Sequence, residues 1–455
     1  MANTYLNRTF SGTPTMTTFT VSFWIKRATI GATQRIISAR VDGNNESTFY
    51  FSSSDQLNIA TTVGGATKCD IKANRRFRDT SGWYHVVVQK NTTLATANDR
   101  VKIWVNGVEE TDVTRSTTQV QNEEDFFLKS TATNEIGRRP SNNDQYFGGY
   151  LTHFCIVQGS VVAPTSFGQT DSTSGIWKFK PPAGVSFGTN GFHLKFENSG
   201  AMGTDSSGNS QTWTSNGSLI QSLDTPSNVL AVMNPLLVPS SNPPTFSNAN
   251  TTTQSSSNST SKWGGCTTLG MTTGKWYCEA KATVDSSYSR NVIGITGDPG
   301  NIARTNGSIL NGTHSWGWYS ENGAISGNGS ANIQTGTTYG TGDIVMVALD
   351  LDNNKLYFGK NGSWVYSGVP TSGATGTGAI SIIAASTTNE QAYFFGQNDD
   401  TGTSATSKFD WNFGNGFFGT TAITSAGSNG NGSLFEYDVP TGYYALNTKN
   451  INTYG

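Results

Sequence analysis

The chain reads as an all-β protein: two tandem antiparallel β-sandwiches of jelly-roll type, joined by a loop-rich connector. Three observations predict this. Apolar and polar residues alternate with period two along both halves, as in strands with one buried face. Alternating runs end at Asn106-Gly107 and Asn361-Gly362, pairs that accept the positive φ of a two-residue hairpin turn. Of the 455 residues 13 % are charged, about half the usual share, while 52 are Gly and 11 % aromatic. So many rings exclude a disordered chain, and so few charges suit short strands with long polar loops.

Residues 1–165 form the first predicted domain. Phe19, Val21, Phe23 and Ile25 alternate with Thr20, Ser22 and Trp24, which marks a half-buried strand. Ile36–Ala39, Thr48–Ser52 and Gln56–Ala60 follow as short strands, with turns at Asp42-Gly43 and Ser54-Asp55. Trp83–Val88 and Val101–Val105 are the next strands, and Gly149–Val157 closes the domain. Residues 166–244 read as the connector, expected to pack along the sandwiches because so long an irregular stretch does not float free in a compact chain. It holds one good strand, Phe192–Phe196, among turn-rich stretches such as Pro181-Pro182 and Asp205–Asn209. Ser240–Ser261 is polar low complexity and reads as a surface loop or flexible link.

Residues 245–455 form the second predicted domain. On the strand Lys275–Lys281, Tyr277, Glu279 and Lys281 share one face, opposite Trp276, Cys278 and Ala280. Val292–Ile295 and Trp316–Tyr319 follow as strands. Ile344–Leu351 is apolar on both faces, as a central strand should be. No helix longer than a turn or two, and no heptad or β-helical repeat, is predicted, so no fibrous stalk is encoded.

Net charge is −2, which gives no electrostatic footprint for nucleic acid. No apolar run reaches transmembrane length, and Met1–Tyr5 starts no apolar leader, so membrane insertion and secretion are not expected. Cys69, Cys155, Cys266 and Cys278 lack metal-ligand or Cys-x-x-Cys spacing and read as small hydrophobes of a protein made in a reducing cytoplasm.

The first domain resembles the laminin-G and concanavalin-A-like lectin group. The residues that carry this are Phe23–Lys26, Trp83–Val88, Val101–Gly107, Ile136-Gly137-Arg138 and Phe147–Leu151. The second resembles the SPRY module through Gly274–Glu279, Ile293–Ile295, Gly317-Trp318, Leu349-Asp350, Leu356–Phe358 and Asn361-Gly362. The whole arrangement is similar to structural proteins of tailed phages of marine bacteria. Arg76–Asp79, Ser174–Lys178, Gly188–Leu194, Asp224–Asn228 and Gly442–Asn450 carry that likeness. It implies a virion protein, a tail-appendage or fibre-type adhesin, that recognises a host-surface glycan or docks on neighbouring virion subunits. It also implies a homo-oligomer, with a trimer as first expectation. The alternatives are a capsid decoration protein without glycan binding and a polysaccharide-degrading enzyme.

Catalysis is not expected. Glycan cleavage needs a carboxylate pair aimed into one groove, about 5–5.5 Å apart for retention. The nearest run, Glu123-Glu124-Asp125, is consecutive and so splits across two faces, while Glu109, Glu110 and Asp112 follow a hairpin turn. His85, His153 and His193 lie in strand patterns and read as structural; His314 lies in a loop. A sugar site needs an exposed ring with polar groups beside it. Arg138, Arg139, Tyr146 and Phe147 are candidates in the first domain, and Tyr288, Arg290 and Tyr319 in the second. The laminin-G resemblance makes rim Ca²⁺ possible, with Asp42, Asn44 and Asp144 as loop candidates; Asp205–Asn209 and Asp350–Asn354 read first as turns.

Overall fold

The computed structural model describes residues 3–240, 242–255, 263–285, 291–302, 314–328, 330–385, 392–399 and 406–455. The chain divides into two compact units, Met1–Gln221 and Ser222–Gly455. The boundary falls inside the stretch 166–244, whose first part is continuous with the first unit and whose remainder belongs to the second.

The first unit contains strands β1 (Tyr5–Arg8), β2 (Thr18–Arg27), β3 (Gln34–Asp42), β4 (Asn45–Phe51), β5 (Leu57–Val63), β6 (Ala66–Ala73), β7 (Tyr84–Asn91), β8 (Val101–Val105), β9 (Val108–Glu109), β10 (Val113–Thr117), β11 (Thr133–Ile136), β12 (Gly149–Gln158), β13 (Gly168–Thr170), β14 (Trp177–Phe179), β15 (Phe192–Leu194) and β16 (Thr214–Asn216). An eight-stranded sheet runs β10-β6-β5-β4-β3-β11-β1-β16, and a six-stranded sheet runs β15-β12-β2-β7-β8-β9. Phe19, Val21, Phe23 and Ile25 of β2 pack with Val86, Val88, Ile103, Phe154, Ile37 and Phe49 in one buried core. Each such side chain contributes about 1.5–3 kcal/mol on burial. The strand Phe192–Leu194 pairs with Phe154–Ile156, so part of the expected connector is an edge strand of this sheet.

The other face of β2 is buried too: Thr20, Ser22, Trp24 and Lys26 are each at most 2 % exposed. A strap of residues 160–190 covers much of that face, packing Phe167 and Phe187 on Val87, Cys155 and Val157. Trp177 stacks on His85 and donates its indole N–H to His85 Nδ1 at 3.0 Å. Nδ1 is therefore an acceptor, so the proton sits on Nε2, which donates to Ser22 Oγ at 2.9 Å. Gly107 completes the hairpin turn at φ +79°, and a Cβ there would come within 2.5 Å of the Trp177 ring. Phe179 stacks on His153 at 3.6 Å and Phe187 on His193 at 5.9 Å. Three of the four histidines thus lie beneath one strap. Burial lowers His85 and His153 to about 3 and His193 to about 4, with help from neighbouring His and Lys195 charges. Lys90 and Asp125, both fully buried, pair at 2.6 Å beneath β5, where Thr61 bonds both.

The second unit contains β17 (Thr245–Ser247), β18 (Thr252–Gln254), β19 (Trp263–Cys266), β20 (Lys275–Asp285), β21 (Asn291–Thr296), β22 (Ser315–Tyr319), β23 (Ile325–Gly327), β24 (Ser330–Gln334), β25 (Ile344–Asp350), β26 (Lys355–Lys360), β27 (Ser363–Trp364), β28 (Ile380–Ser381), β29 (Phe394–Asp399) and β30 (Ser407–Asn412). The main path of its larger sheet is β17-β18-β30-β20-β25-β26-β27; the second sheet runs β19-β29-β21-β22-β23-β24. Trp276, Cys278, Val345, Val347, Phe409 and Trp411 meet Ile293, Ile295, Trp318 and Phe395 in the core. The Trp411 indole N–H donates to Gln397 Oε1 at 2.7 Å, which satisfies a buried donor.

The stretch expected as a loop or link from Ser240 includes two strands of this sheet, β17 and β18. Thr252 and Thr253 are buried because their hydroxyls donate to Asp410 and Gln397. β-branching suits Thr to the sheet, and polar composition alone concealed it. Residues 256–261 of that stretch lie outside the described residues.

In this unit it is the larger sheet that has a second cover. Phe435, Val439, Tyr443 and Ala445 pack on Tyr277, Met346, Ala348 and Tyr357. Buried Glu279 latches this cover: its carboxylate accepts from the Glu436 and Tyr437 backbone N–H groups and the Tyr277 hydroxyl, each at 2.9 Å. Burial pushes Glu279 up to about 7 against the pull of these donors. All four cysteines are free and buried.

Two predictions follow from these buried groups. Below pH 6.5 an unfolded chain protonates His85 while the folded one does not, so the stability this residue supplies is lost as pH falls towards about 3. His85→Gln should be the less stable protein at pH 7.5, and the gap should narrow by up to about 1.4 kcal/mol per pH unit below 6.5, read by denaturant unfolding. Taking the difference cancels Glu279, whose raised carboxyl titrates with the opposite sign. Asp125→Ala strands a buried ammonium and should cost about 3–5 kcal/mol, and adding Lys90→Met should restore most of it.

Candidate functional site

The outer face of the eight-stranded sheet is polar, carrying Asn7, Glu135, Ser38, Arg40 and Glu46 in register across β1, β11, β3 and β4. From it rises a finger, residues 137–147. Gly137, at φ +94°, turns the chain out of β11. The Phe147 N–H donates to Gly137 O at 2.8 Å and the Arg139 N–H to Asp144 O at 3.0 Å, which pairs the two arms. Asn143 and Gln145, both at φ +53°, shape the tip; Asn tolerates that conformation well. The Arg35 N–H binds Gln145 O at 2.8 Å and ties the finger to β3.

Its side chains are locked by charge. Arg138 donates Nε and Nη2 to the two Glu135 oxygens at 2.6 and 2.7 Å, and its guanidinium lies 3.4 Å above the Tyr5 ring. Bidentate pairing with Glu135 raises Arg138 well above the usual guanidinium range. Tyr146 meets Tyr5 edge-on at 6.4 Å. Arg139 pairs with Asp144 at 2.8 and 2.6 Å and holds that carboxyl below the usual range. With the Asn142 amide turned to satisfy both its ends, its oxygen also accepts from Arg139 at 2.8 Å. Arg35 lies 4.6 Å over Tyr50 and donates to Gln145 Oε1 at 2.9 Å and Thr48 Oγ1 at 2.7 Å.

Of the residues the sequence nominated, Arg138, Arg139 and Tyr146 come together here. Phe147 instead packs against the core and anchors the finger's base. Tyr319 is half-buried against Cys266 and Val292 of the second unit. Tyr288 and Arg290 lie outside the described residues. Tyr5, Glu135 and Arg35 complete the finger without having been nominated. Glu135 stands three residues before Arg138, a spacing that could have flagged it; Tyr5 reaches the site only through the pairing of β1 with β11.

The loop acids nominated for Ca²⁺ are engaged by donors. Asp42 accepts from Asn44 and Asn45, Asp144 holds Arg139, and Asp205 accepts from the backbone of His193, Ser207 and Gln211. Asp350 accepts from Asn353 and pairs with Lys275 at 2.9 Å. Among the described residues, no cluster of three His, Cys, Asp or Glu is placed to hold a metal. In the run Glu123-Glu124-Asp125 each acid pairs with a different lysine: Lys68, Lys129 and Lys90. Glu109 and Glu110 line an open cleft of about 540 Å³ and pair with Lys102 and Arg75.

Residues 3–165 match the family described as the concanavalin A-like lectin/glucanases superfamily, and residues 264–398 match the SPRY domain. The chain thus joins an N-terminal lectin-like fold to a C-terminal SPRY domain, a pairing that suggests a binding or adhesion module. No curated protein matches it. Among solved structures it is similar to the SPRY domain of human HERC1, with 15 % identity and a TM-score of 0.28 over 39 % of this chain and 96 % of that one. It is also similar to a heptameric SAP-like pentraxin from Limulus polyphemus, with 15 % identity and a TM-score of 0.24 over 35 % and 77 %. Domain 4 of AbnA, a GH43 extracellular arabinanase from Geobacillus stearothermophilus solved in complex with arabinotriose, shows 17 % identity and a TM-score of 0.25 over 32 % and 64 %.

Proposed function

We propose that the chain is a non-catalytic adhesin of a tailed-phage virion and that its finger meets a host-surface glycan. The observation that carries this reading is the finger itself. Two tyrosines, two carboxylate-locked arginines and the exposed amides of Asn142 and Asn143 are held rigid on a sheet face. Preorganised rings and polar groups of this kind bind sugars without losing much side-chain freedom. The likeness of 76–79, 174–178 and 442–450 to phage structural proteins supports the virion placement. Trimeric copies on one particle multiply weak single-site affinity.

On an array of bacterial surface polysaccharides, Arg138→Ala and Tyr146→Ala should each lower binding at least tenfold, about 1.4 kcal/mol. A glycan-binding chain indifferent to both substitutions would remove the finger from this role. Gold-labelled antibody against the chain should mark tail appendages of intact virions. Label over the head would favour a capsid decoration protein, and no label would end the virion reading.

A further inference from the structure

We propose that the finger selects neutral, hydroxyl-rich glycans and rejects sulfated or uronate-bearing ones. This rests on the reading of the finger as a glycan site and adds the class of ligand.

An anionic sugar group is captured by a guanidinium whose paired N–H fork is open to it. Here the Nε/Nη2 side of each finger guanidinium is filled from within. Glu135 occupies that of Arg138 and Asp144 that of Arg139, each through two bonds of 2.6 to 2.8 Å. A ligand sulfate would have to displace a tethered carboxylate, gaining no bond on exchange and meeting the displaced charge at close range. The third guanidinium, Arg35, is committed beneath the finger: it donates to Gln145 and Thr48, and its face lies on Tyr50.

What remains available suits hydroxyls. A sugar O–H both donates and accepts, so it matches a surface that sets acceptors beside donors. Asp144 keeps unfilled oxygen lone pairs with its side chain 42 % exposed, next to the outer edge of Arg139. Asn142 and Asn143 at the tip are exposed. The Tyr146 ring, edge-on to Tyr5, offers apolar contact to a pyranose C–H face.

The test measures binding of the full chain to dextran and galactomannan as neutral probes, and to alginate and dextran sulfate as charged ones, at 50 and 500 mM NaCl. The inference expects a neutral probe to bind with a Kd that changes less than twofold with salt, and no charged probe to bind within tenfold of it. It further expects Asp144→Asn, which opens the Arg139 fork, to gain dextran sulfate binding that falls at least tenfold between the two salt concentrations. Tyr146→Ala, which removes the ring that faces the pyranose, should weaken the neutral probe alone. Preferred, salt-sensitive binding of alginate or dextran sulfate by the unaltered chain would overturn the ligand class while leaving a glycan site in place. Binding of no probe of either class would overturn the glycan reading itself.

Discussion

A sheet buried on both faces is the constraint from which the rest of each unit follows. In a two-layer sandwich only the inner face needs cover. Here β2 and β7 turn Trp24, His85 and Val87 outward, and β20, β25 and β26 turn out Tyr277, Met346 and Tyr357, all buried. Apolar area on that scale cannot face water, so each unit spends a later stretch of chain on a third layer: 160–190 in the first, 435–445 in the second. Both covers are pinned by specific bonds, Trp177 to His85 in one and the Glu279 carboxylate in the other.

The same division of labour frees the other sheet of the first unit. With the strap on the six-stranded sheet, the eight-stranded sheet keeps a polar outer face and can carry the finger. The finger's rigidity comes from short-range charge pairing and its attachment from strand register. Glu135 is presented by β11, Tyr5 by the adjacent β1 and Arg35 by β3 on the other side. A slip of one residue in β1 would send Tyr5 inward and remove the ring under Arg138.

Patterns of local origin were legible in the sequence, and those of tertiary origin were not. The alternation at 19–25, the Asn106-Gly107 turn and the two-faced apolar run 344–351 each follow from a few neighbouring side chains, and each appears as read. The three strand-borne histidines are packed as structural residues, but nothing local showed that one strap covers them all. Thr252 and Thr253 read as loop because their partners, Asp410 and Gln397, lie some 150 residues away. Arg138, Arg139 and Tyr146 stand out in sequence as turn residues of mixed charge and aromaticity, and the structure brings them together; Tyr5, which joins them, has no local signal at all. Phe147 packs partly on the core, which its sequence position could not show, because a ring beside a loop looks the same whether it faces water or core.

The strap is part of the first sandwich's folding unit, although the family match ends at residue 165. Expressing residues 1–165 and 1–221 separately and following denaturant unfolding with a hydrophobic dye present tests it most directly. Residues 1–221 should unfold in one cooperative transition without dye binding, and 1–165 should bind dye and lack a sharp transition. Equal, cooperative unfolding of both fragments would contradict it.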